Sequence, residues 1–154
     1  MSKENLLSIG IALFMVLVIG GYFLWSTFDN NQNTIQNKNM TSNNFDIQGM
    51  KVEILKQGTG EGAKNGDLVS VNYTGTLPDG TKFDSSLNPG RTPFEFTLPG
   101  QVIQGWNLGL VGMKVGEERK LTIPPELAYG TQSPSPLIPP NSTLIFVIDL
   151  LKIN

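Results

Sequence analysis

Two hydrophobic patterns divide the chain into a front part and a back part. Residues 6–24 are nineteen residues without a charged side chain, and no polar stripe interrupts them. From residue 48 onward, apolar and polar residues instead alternate in short runs, which is the period of strands that bury one face. Gly, Pro, Asn or Asp flanks each run, and the clearest runs are residues 50–54, 69–73 and 94–98.

The back part predicts an α+β fold. Residues 143–153 are apolar at both sets of alternate positions, so we expect this strand to lie centrally in a sheet. Residues 102–113 have the helical period instead, because apolar side chains recur there at spacings of three and four, which predicts a short amphipathic helix. These side chains are Ile103, Trp106, Leu110 and Met113. We therefore expect a twisted antiparallel sheet packed on one short helix.

The front part predicts a membrane anchor. Residues 6–25 are long enough to cross a hydrocarbon core of roughly 30 Å as a helix, and Tyr22 and Trp25 stand where aromatic side chains favour the interface. The alternatives are a cleaved signal peptide and a buried core helix. The segment is longer than the apolar region of a signal peptide, and no A-x-A cleavage site follows it. A core helix would show a polar stripe, so an uncleaved transmembrane helix is expected.

The residues after this segment predict its orientation and a linker. Asp29 follows the apolar residues and the next basic residue is Lys38, which favours a cytoplasmic amino terminus and a domain on the outer side of the membrane. Residues 26–47 are rich in asparagine and poor in apolar side chains, so we expect a flexible linker. The predicted division is a flank at residues 1–5, a transmembrane helix at 6–25, the linker at 26–47 and a folded domain at 48–154.

Two absent residue types limit the chemistry. The 154 residues include no cysteine and no histidine. This excludes disulfides, thiolate zinc sites, thiol nucleophiles, imidazole metal ligands and catalytic triads that use histidine. We therefore expect no metal and no cofactor. A formal net charge of −2 and an isoelectric point near 5.0 also argue against a nucleic-acid partner, which would require a basic patch.

Aromatic side chains are the remaining candidates for a binding site. In the back part they come from five segments, mostly at strand or helix positions: Tyr73, Phe83, Phe94, Phe96, Trp106, Tyr129 and Phe146. Any single one is more often plain core. Two phenols and an indole together are different, because each needs a hydrogen-bond partner when buried. Such a set can line a concave, mostly apolar pocket with a few donors.

Several motifs in a fixed order resemble one known family. They are VNYTG at 71–75, DGTKFDSS at 79–86, VIQGW at 102–106, MKVGE at 113–117, AYG at 128–130 and IPP at 138–140, and the ending LIFVIDLL at 144–151 completes the pattern. Over residues 48–154 the chain is thereby similar to the FKBP-type peptidyl-prolyl cis-trans isomerases. The resemblance implies a half-open antiparallel sheet wrapped on one short helix, and catalysis of rotation about Xaa-Pro bonds in folding proteins.

The resemblance also implies a set of site residues. Trp106 would form the floor of a pocket, and the Ile103 N–H would meet a substrate carbonyl. The implied catalytic residues are Asp84, Tyr129, Trp106 and Phe83. The implied substrate-binding residues are Tyr73, Phe94, Gln101, Val102, Ile103, Leu137, Ile138 and Phe146.

The implied partners are proline-containing polypeptides and macrolide inhibitors such as rapamycin, with a membrane as the partner of residues 6–25. The loop at residues 87–93 is one residue longer than in the best-known members, which leaves open whether Arg91 pairs with Asp84. Two alternatives to an isomerase also stay open. One is a membrane-tethered peptide-binding or chaperone module with little turnover, and the other is a structural domain whose anchor matters more than its pocket.

Overall fold

Nine strands, one α-helix and one 3₁₀ turn make up residues 43–154, the part of the chain that the structure, a computed structural model, describes. The strands are β1 (Asn44–Ile47), β2 (Met50–Lys56), β3 (Thr59–Gly62), β4 (Leu68–Thr76), β5 (Lys82–Ser85), β6 (Phe94–Thr97), β7 (Lys114–Val115), β8 (Glu118–Ile123) and β9 (Leu144–Ile153). The helix α1 is Gln104–Gly109, and the 3₁₀ turn is Pro125–Leu127.

Seven of these strands form one antiparallel sheet in the order β1-β2-β8-β9-β4-β5. The sixth strand along the chain, β6, shares an edge of β4 with β5, because β6 pairs with residues 68–71 and β5 pairs with residues 74–76. Strands β3 and β7 form a separate two-stranded ribbon. Strand β9 lies between β8 and β4, which confirms the central position predicted for residues 143–153.

The core lies between the inner face of this sheet and α1. Along β9, the alternate side chains Leu144, Phe146, Ile148 and Leu150 are buried, and most of those between them are partly exposed. Strand β4 buries Val69, Val71 and Tyr73 in the same way. The alternation seen in residues 69–73 therefore marks the inner face correctly, whereas in β9 the burial alternates although the sequence is apolar at both sets of positions. The predicted antiparallel sheet on one short helix is confirmed.

The helix is shorter than the sequence predicts. It covers six residues, Gln104–Gly109, instead of residues 102–113. The predicted apolar face is nevertheless correct, because Trp106, Leu110 and Met113 are buried. The chain leaves the helix in a turn in which the Met113 N–H donates to the Leu110 carbonyl. A turn preserves the three-residue spacing of apolar side chains, so spacing alone does not show where the helix ends.

Two glycines allow α1 to approach β8 closely. A Cβ atom added to Gly105 would lie 2.5 Å from Ile123 Cγ2, and one added to Gly109 would lie 2.5 Å from Leu121 Cδ1. The helix backbone therefore packs directly on side chains of the strand. Trp106, which stands between the two glycines in sequence, is held close to the sheet as a result.

The folded part begins earlier than predicted. Strand β1 lies inside residues 26–47, the predicted linker, and it pairs along its whole length with β2. The last residues of that predicted linker therefore belong to the sheet. Residues 43–154 contain no helix that is long and apolar enough to cross a bilayer. The predicted transmembrane helix, residues 6–25, lies outside the described residues.

An aromatic pocket as the candidate active site

A cavity of about 380 Å³ is lined by the start of α1, by side chains of the sheet and by the loop at residues 130–141. Eleven of the twelve site residues implied by the resemblance line it: Tyr73, Phe83, Asp84, Phe94, Gln101, Val102, Ile103, Trp106, Tyr129, Ile138 and Phe146. They come from β4, β5, β6, β9, α1 and the connecting loops. The fold thus brings together residues that are as far apart in sequence as Tyr73 and Phe146.

Edge-to-face aromatic contacts shape this cavity. The Trp106 ring lies with its centroid 5.2 Å from that of Tyr73 and 5.2 Å from that of Phe146, at interplanar angles of 81° and 87°. Phe83 meets Phe146 at 5.5 Å, and Phe94 meets Trp106 at 6.1 Å. Such pairs are favoured by the ring quadrupoles, so the walls hold one another in place around an apolar space.

A hydrogen-bonded group of three side chains forms the polar edge. The Tyr73 hydroxyl donates to Asp84 Oδ2 at 2.5 Å. Arg91 Nη2 donates to the Tyr73 hydroxyl at 3.2 Å and lies 3.4 Å from Asp84 Oδ1. The sequence left open whether Arg91 pairs with Asp84, and the structure shows that it does. A carboxylate with two donors of this kind keeps a fixed orientation toward the cavity.

Two serines that follow Asp84 fix the backbone around it. The Ser85 N–H donates to Asp84 Oδ1 at 2.9 Å, and the Ser85 hydroxyl donates to the Tyr73 carbonyl at 2.9 Å. The Ser86 hydroxyl accepts the Tyr73 N–H at 2.9 Å. Both serines are buried. These hydrogen bonds thereby join β5 to β4 at Tyr73, whose hydroxyl binds Asp84.

The Tyr73 phenol is expected to ionise only at strongly alkaline pH. Burial, followed by the hydrogen bond to Asp84, raises the pKa of Tyr73 to about 12, whereas an unfolded tyrosine has a pKa of about 10. The folded state binds this proton more tightly, so its stabilisation is complete below pH ~10 and is lost as the pH rises toward ~12. In a Tyr22→Phe/Tyr129→Phe background, absorbance at 295 nm should rise near pH 12. A rise near pH 10 in the folded protein would contradict this.

Three donors at the cavity have no protein acceptor within residues 43–154. The buried Trp106 indole N–H has none, and neither the Ile103 N–H nor the Tyr129 hydroxyl makes a hydrogen bond there. Burial, with a further contribution from the charge of Asp84, raises the pKa of Tyr129, so its hydroxyl keeps the proton. The expectation that each buried polar edge finds a protein partner is therefore met by Tyr73 and not by Trp106. These donors can meet acceptors on a bound ligand.

The loop at residues 130–141 differs in part from what the resemblance implies. Leu137, a predicted binding residue, does not line the cavity, and its side chain is 51% exposed. Pro134 and Ser135 do line it, although the sequence did not assign them to the site. The Ser133 hydroxyl donates to the Ile138 carbonyl at 2.8 Å and folds the loop back on itself. Their position in the same loop as Ile138 was a signal for both residues.

The arrangement suits binding without covalent chemistry. Its polar side chains are one carboxylate, two phenols, an indole, one amide and one serine hydroxyl, and the chain contains no histidine or cysteine that could activate the serine. Within the described part of the chain, no three acidic, His or Cys side chains come together as a metal would require. The cavity is therefore a mostly apolar cup with a polar edge.

Comparison with known proteins gives similarities over the same residues. A family model described as FKBP-type peptidyl-prolyl cis-trans isomerase matches residues 59–151. The FK506-binding protein of Neisseria meningitidis serogroup B is 51% identical over 106 residues, which are 68% of this chain and 96% of that protein. FK506-binding protein 4 of Neurospora crassa is 50% identical over 121 residues, which are 78% of this chain and 25% of that protein. This chain thus spans a quarter of that relative's length.

Among solved structures, the crystal structure of FkpA from Escherichia coli is similar, with a TM-score of 0.66 and 35% sequence identity. The match covers 100% of this chain and 74% of that one. The family model spans more than half of the present sequence and includes most residues that line the cavity. The chain therefore belongs to the family of FKBP-type peptidyl-prolyl cis-trans isomerases.

Proposed function

We propose that the aromatic pocket catalyses cis-trans isomerisation of Xaa-Pro bonds in polypeptides. The observation that carries this proposal is an apolar aromatic cavity with one oriented carboxylate, Asp84, at its edge. Family membership supports the same activity. The reaction requires no nucleophile and no proton transfer, which is consistent with a site built without histidine or cysteine.

The physical basis is the difference between a planar and a twisted amide. Resonance makes the planar amide strongly polar and sets a rotation barrier of about 18–20 kcal/mol. The twisted amide has lost that charge separation, so an apolar cavity disfavours the ground state more than the transition state. In this proposal the proline ring packs on Trp106, with Phe83 and Phe146 excluding water beside it.

Hydrogen bonding then sets the orientation of the substrate. In this proposal the Ile103 N–H donates to a substrate carbonyl, and the Tyr129 hydroxyl is a second donor at the same cavity. Asp84, held by Tyr73 and Arg91, supplies a fixed negative field at the edge. A field fixed before the reaction favours one carbonyl orientation without reorganising during rotation.

Replacing Asp84 by leucine should therefore affect turnover more than binding. We expect Asp84→Leu to lower kcat by about tenfold with KM changed less than about twofold, since the lost field acts on the twisted amide. A matched control is Glu95→Leu, which removes an exposed carboxylate on β6 that does not line the cavity. The measurement is protease-coupled isomerisation of Xaa-Pro-Phe peptides by the 154-residue chain in mild detergent.

Two outcomes of that assay would count against the proposal. An unchanged kcat in Asp84→Leu would contradict the role given to the carboxylate. A wild-type chain that binds the peptide without accelerating its isomerisation would favour the alternative, a peptide-binding or chaperone module with little turnover. Silent pocket variants in a functional assay of the tethered chain would favour a structural domain.

The same pocket is proposed to take macrolides such as rapamycin. The relatives reported above are named FK506-binding proteins, and the aromatic residues that line the cavity provide apolar area for a ligand of that class. The proposed substrates are unfolded or folding polypeptides that expose Xaa-Pro bonds. Competition between rapamycin and a proline peptide for the quenching of Trp106 fluorescence, measured in the Trp25→Phe chain, tests whether both ligands share one site.

We also propose that residues 6–25 anchor the chain in a membrane, with the amino terminus in the cytoplasm and the isomerase on the outer side. The support is the uncharged segment at residues 6–24 and the absence of basic residues between it and Lys38. Protease treatment of intact cells tests this directly. Digestion of residues 43–154 from outside is expected, and full protection would contradict the orientation.

A further inference from the structure

A buried ion pair lies next to the helix of the pocket but outside the cavity lining. Glu117 and Arg119 are 2% and 4% exposed. Arg119 Nε donates to Glu117 Oε1 at 2.7 Å, and Arg119 Nη2 lies 2.5 Å from the same oxygen. Taking both charges out of water is costly, and neither residue touches the proposed substrate. The role of the pair therefore lies in the backbone groups that it binds.

The pair ties three parts of the backbone together. Arg119 Nη1 donates to the Gly109 carbonyl, the last residue of α1, at 2.7 Å and to the Val111 carbonyl at 3.4 Å. Glu117 Oε2 accepts the Lys114 N–H at 3.1 Å. Carbonyls at the end of a helix lack partners within the helix, and here a buried guanidinium supplies one. The carboxylate in turn holds the start of β7.

The register along β8 shows why this contact controls the helix. Arg119, Leu121 and Ile123 alternate on the buried side of β8, and Gly109 and Gly105 pack against Leu121 and Ile123 respectively. The glycine contacts set how closely α1 approaches the strand. The hydrogen bonds from Arg119 set where its last turn lies along the strand.

Few other interactions hold α1 in position. It is six residues long, it has no side-chain hydrogen bond at its N-cap and no basic residue in its last turn. A helix of this length is not stable without tertiary contacts. The position of Trp106, in the middle of α1, therefore depends on the contacts at its carboxyl end.

Strand β1 contributes a third side chain, Phe45, to the surroundings of this ion pair. The Arg119 guanidinium carbon lies 5.8 Å from the centroid of the Phe45 ring, a distance at which a cation and an aromatic face attract each other. Phe45 belongs to β1, which pairs with β2 at the edge of the sheet. Phe45 thus covers the guanidinium from the first strand of the folded part.

We infer that Arg119 is a positioning residue for the pocket: paired with Glu117 and covered by Phe45, it holds the end of α1 and through it the Trp106 floor. The inference rests on the proposed isomerase for its kinetic consequence. The resemblance did not assign these residues to the site. Through the contacts of Phe45 with Arg119 and of Arg119 with the end of α1, strand β1 is connected to the pocket.

The test compares Arg119→Met, Arg119→Lys and Phe45→Leu in the full 154-residue chain, with Trp25→Phe throughout so that emission reports Trp106 alone. We expect Arg119→Met to raise KM about tenfold with kcat changed less than about threefold, because a displaced floor weakens ground-state and transition-state binding alike. Its Trp106 emission should shift to longer wavelength. Arg119→Lys, which retains a donor, should fall between Arg119→Met and wild type.

Lys120→Met is the matched control. Lys120 is the next residue on β8 and makes an ion pair with Glu53 at 3.0 Å, in which both side chains are about one-third exposed. The Lys120→Met substitution removes one positive charge from the same strand without affecting contacts of the helix. KM and Trp106 emission should therefore stay at wild-type values. Phe45→Leu should raise KM by about threefold, and combining it with Arg119→Met should add little, since both act through one contact.

Stability is measured for each variant by urea unfolding, and kinetics are recorded only where the protein is folded. A folded Arg119→Met with wild-type KM and emission overturns the inference, as does an equal effect in Lys120→Met. If Arg119→Met does not fold, wild-type KM and emission in both Arg119→Lys and Phe45→Leu overturn it instead. If the wild-type chain shows no isomerisation, the proposed function fails, while the emission of Trp106 still decides whether Arg119 positions it.

Discussion

Replacing Trp106 by alanine is expected to abolish most activity, lowering kcat/KM by at least about a hundredfold, which corresponds to ~2.7 kcal/mol of lost transition-state binding. The indole packs against Tyr73, Phe94 and Phe146, so its removal takes away both the surface for the proline ring and the support of the walls. Rapamycin affinity should fall with kcat/KM, because the same floor serves both ligands. Parallel measurement of rapamycin binding and peptide isomerisation checks this.

The control for that variant is Trp106→Phe. Phenylalanine retains an aromatic face and most edge contacts, so kcat/KM should stay within about tenfold of wild type. Large-to-small changes in a core cost about 3–5 kcal/mol of stability for Trp or Phe, so the folded fraction of Trp106→Ala must be established by urea unfolding at the assay temperature. A folded Trp106→Ala with wild-type kcat/KM would show that the cavity is not the site of reaction.

Removal of Glu117 is expected to cause a large loss of stability. Glu117→Leu leaves the Arg119 guanidinium buried without its carboxylate, and breaking a buried pair in this way costs about 3–5 kcal/mol. The Lys114 N–H also loses its acceptor. Urea unfolding monitored by circular dichroism measures the change in the free energy of unfolding.

The sheet offers a matched comparison for that change. Glu53 pairs with Lys120 at 3.0 Å, but both side chains are about one-third exposed, so Glu53→Leu should cost about 0–1 kcal/mol. The double variant Glu117→Leu/Arg119→Met removes both buried charges and should recover at least about half of the loss seen in Glu117→Leu. Equal losses in Glu53→Leu and Glu117→Leu would contradict the importance assigned to burial.

The strands were predictable because alternation reports directly on which face of a strand is buried. Residues 69–73 carry that signal over their whole length, whereas residues 143–153 are apolar at both sets of alternate positions, which instead indicated a central strand; both are strands of the sheet at the predicted positions. The end of the helix was not predictable in this way. The turn between Gly109 and Met113 continues the apolar spacing of the helix, and nothing in the pattern distinguishes the two. The strand Asn44–Ile47 was missed because it lies among asparagines and pairs only locally with β2.

The aromatic residues of the site were predictable from the sequence, whereas the side chains that support its polar edge were less predictable. Motif order assigned Trp106, Tyr73 and Asp84 together, since such assignment does not depend on local conformation. The pairing of Arg91 with Asp84 depends on the path of a loop of altered length, which only coordinates reveal. Pro134 and Ser135 enter the cavity because a hydroxyl of Ser133 closes the loop.

The burial of Glu117 and Arg119 shows most clearly what the sequence pattern could not predict. Residues 117–120 are four consecutive charged side chains, a run that ordinarily indicates a solvated strand face. Their burial alternates in the structure, with Glu117 and Arg119 inside and Glu118 and Lys120 partly exposed. The burial of these residues has the two-residue period of a strand. The sequence does not show this period, because all four side chains are charged and polarity does not change from one position to the next. A tertiary partner, the end of α1, determines which of these charges is buried.

The assignment of catalysis to the aromatic pocket is tested most simply by the rate of Xaa-Pro isomerisation by the 154-residue chain with Trp25→Phe as rapamycin is added. We expect an acceleration over the thermal rate that disappears in proportion to the fraction of Trp106 sites occupied, as followed by quenching of Trp106 fluorescence. Absence of acceleration, or acceleration that persists when the Trp106 site is saturated, would contradict the assignment of catalysis to this pocket.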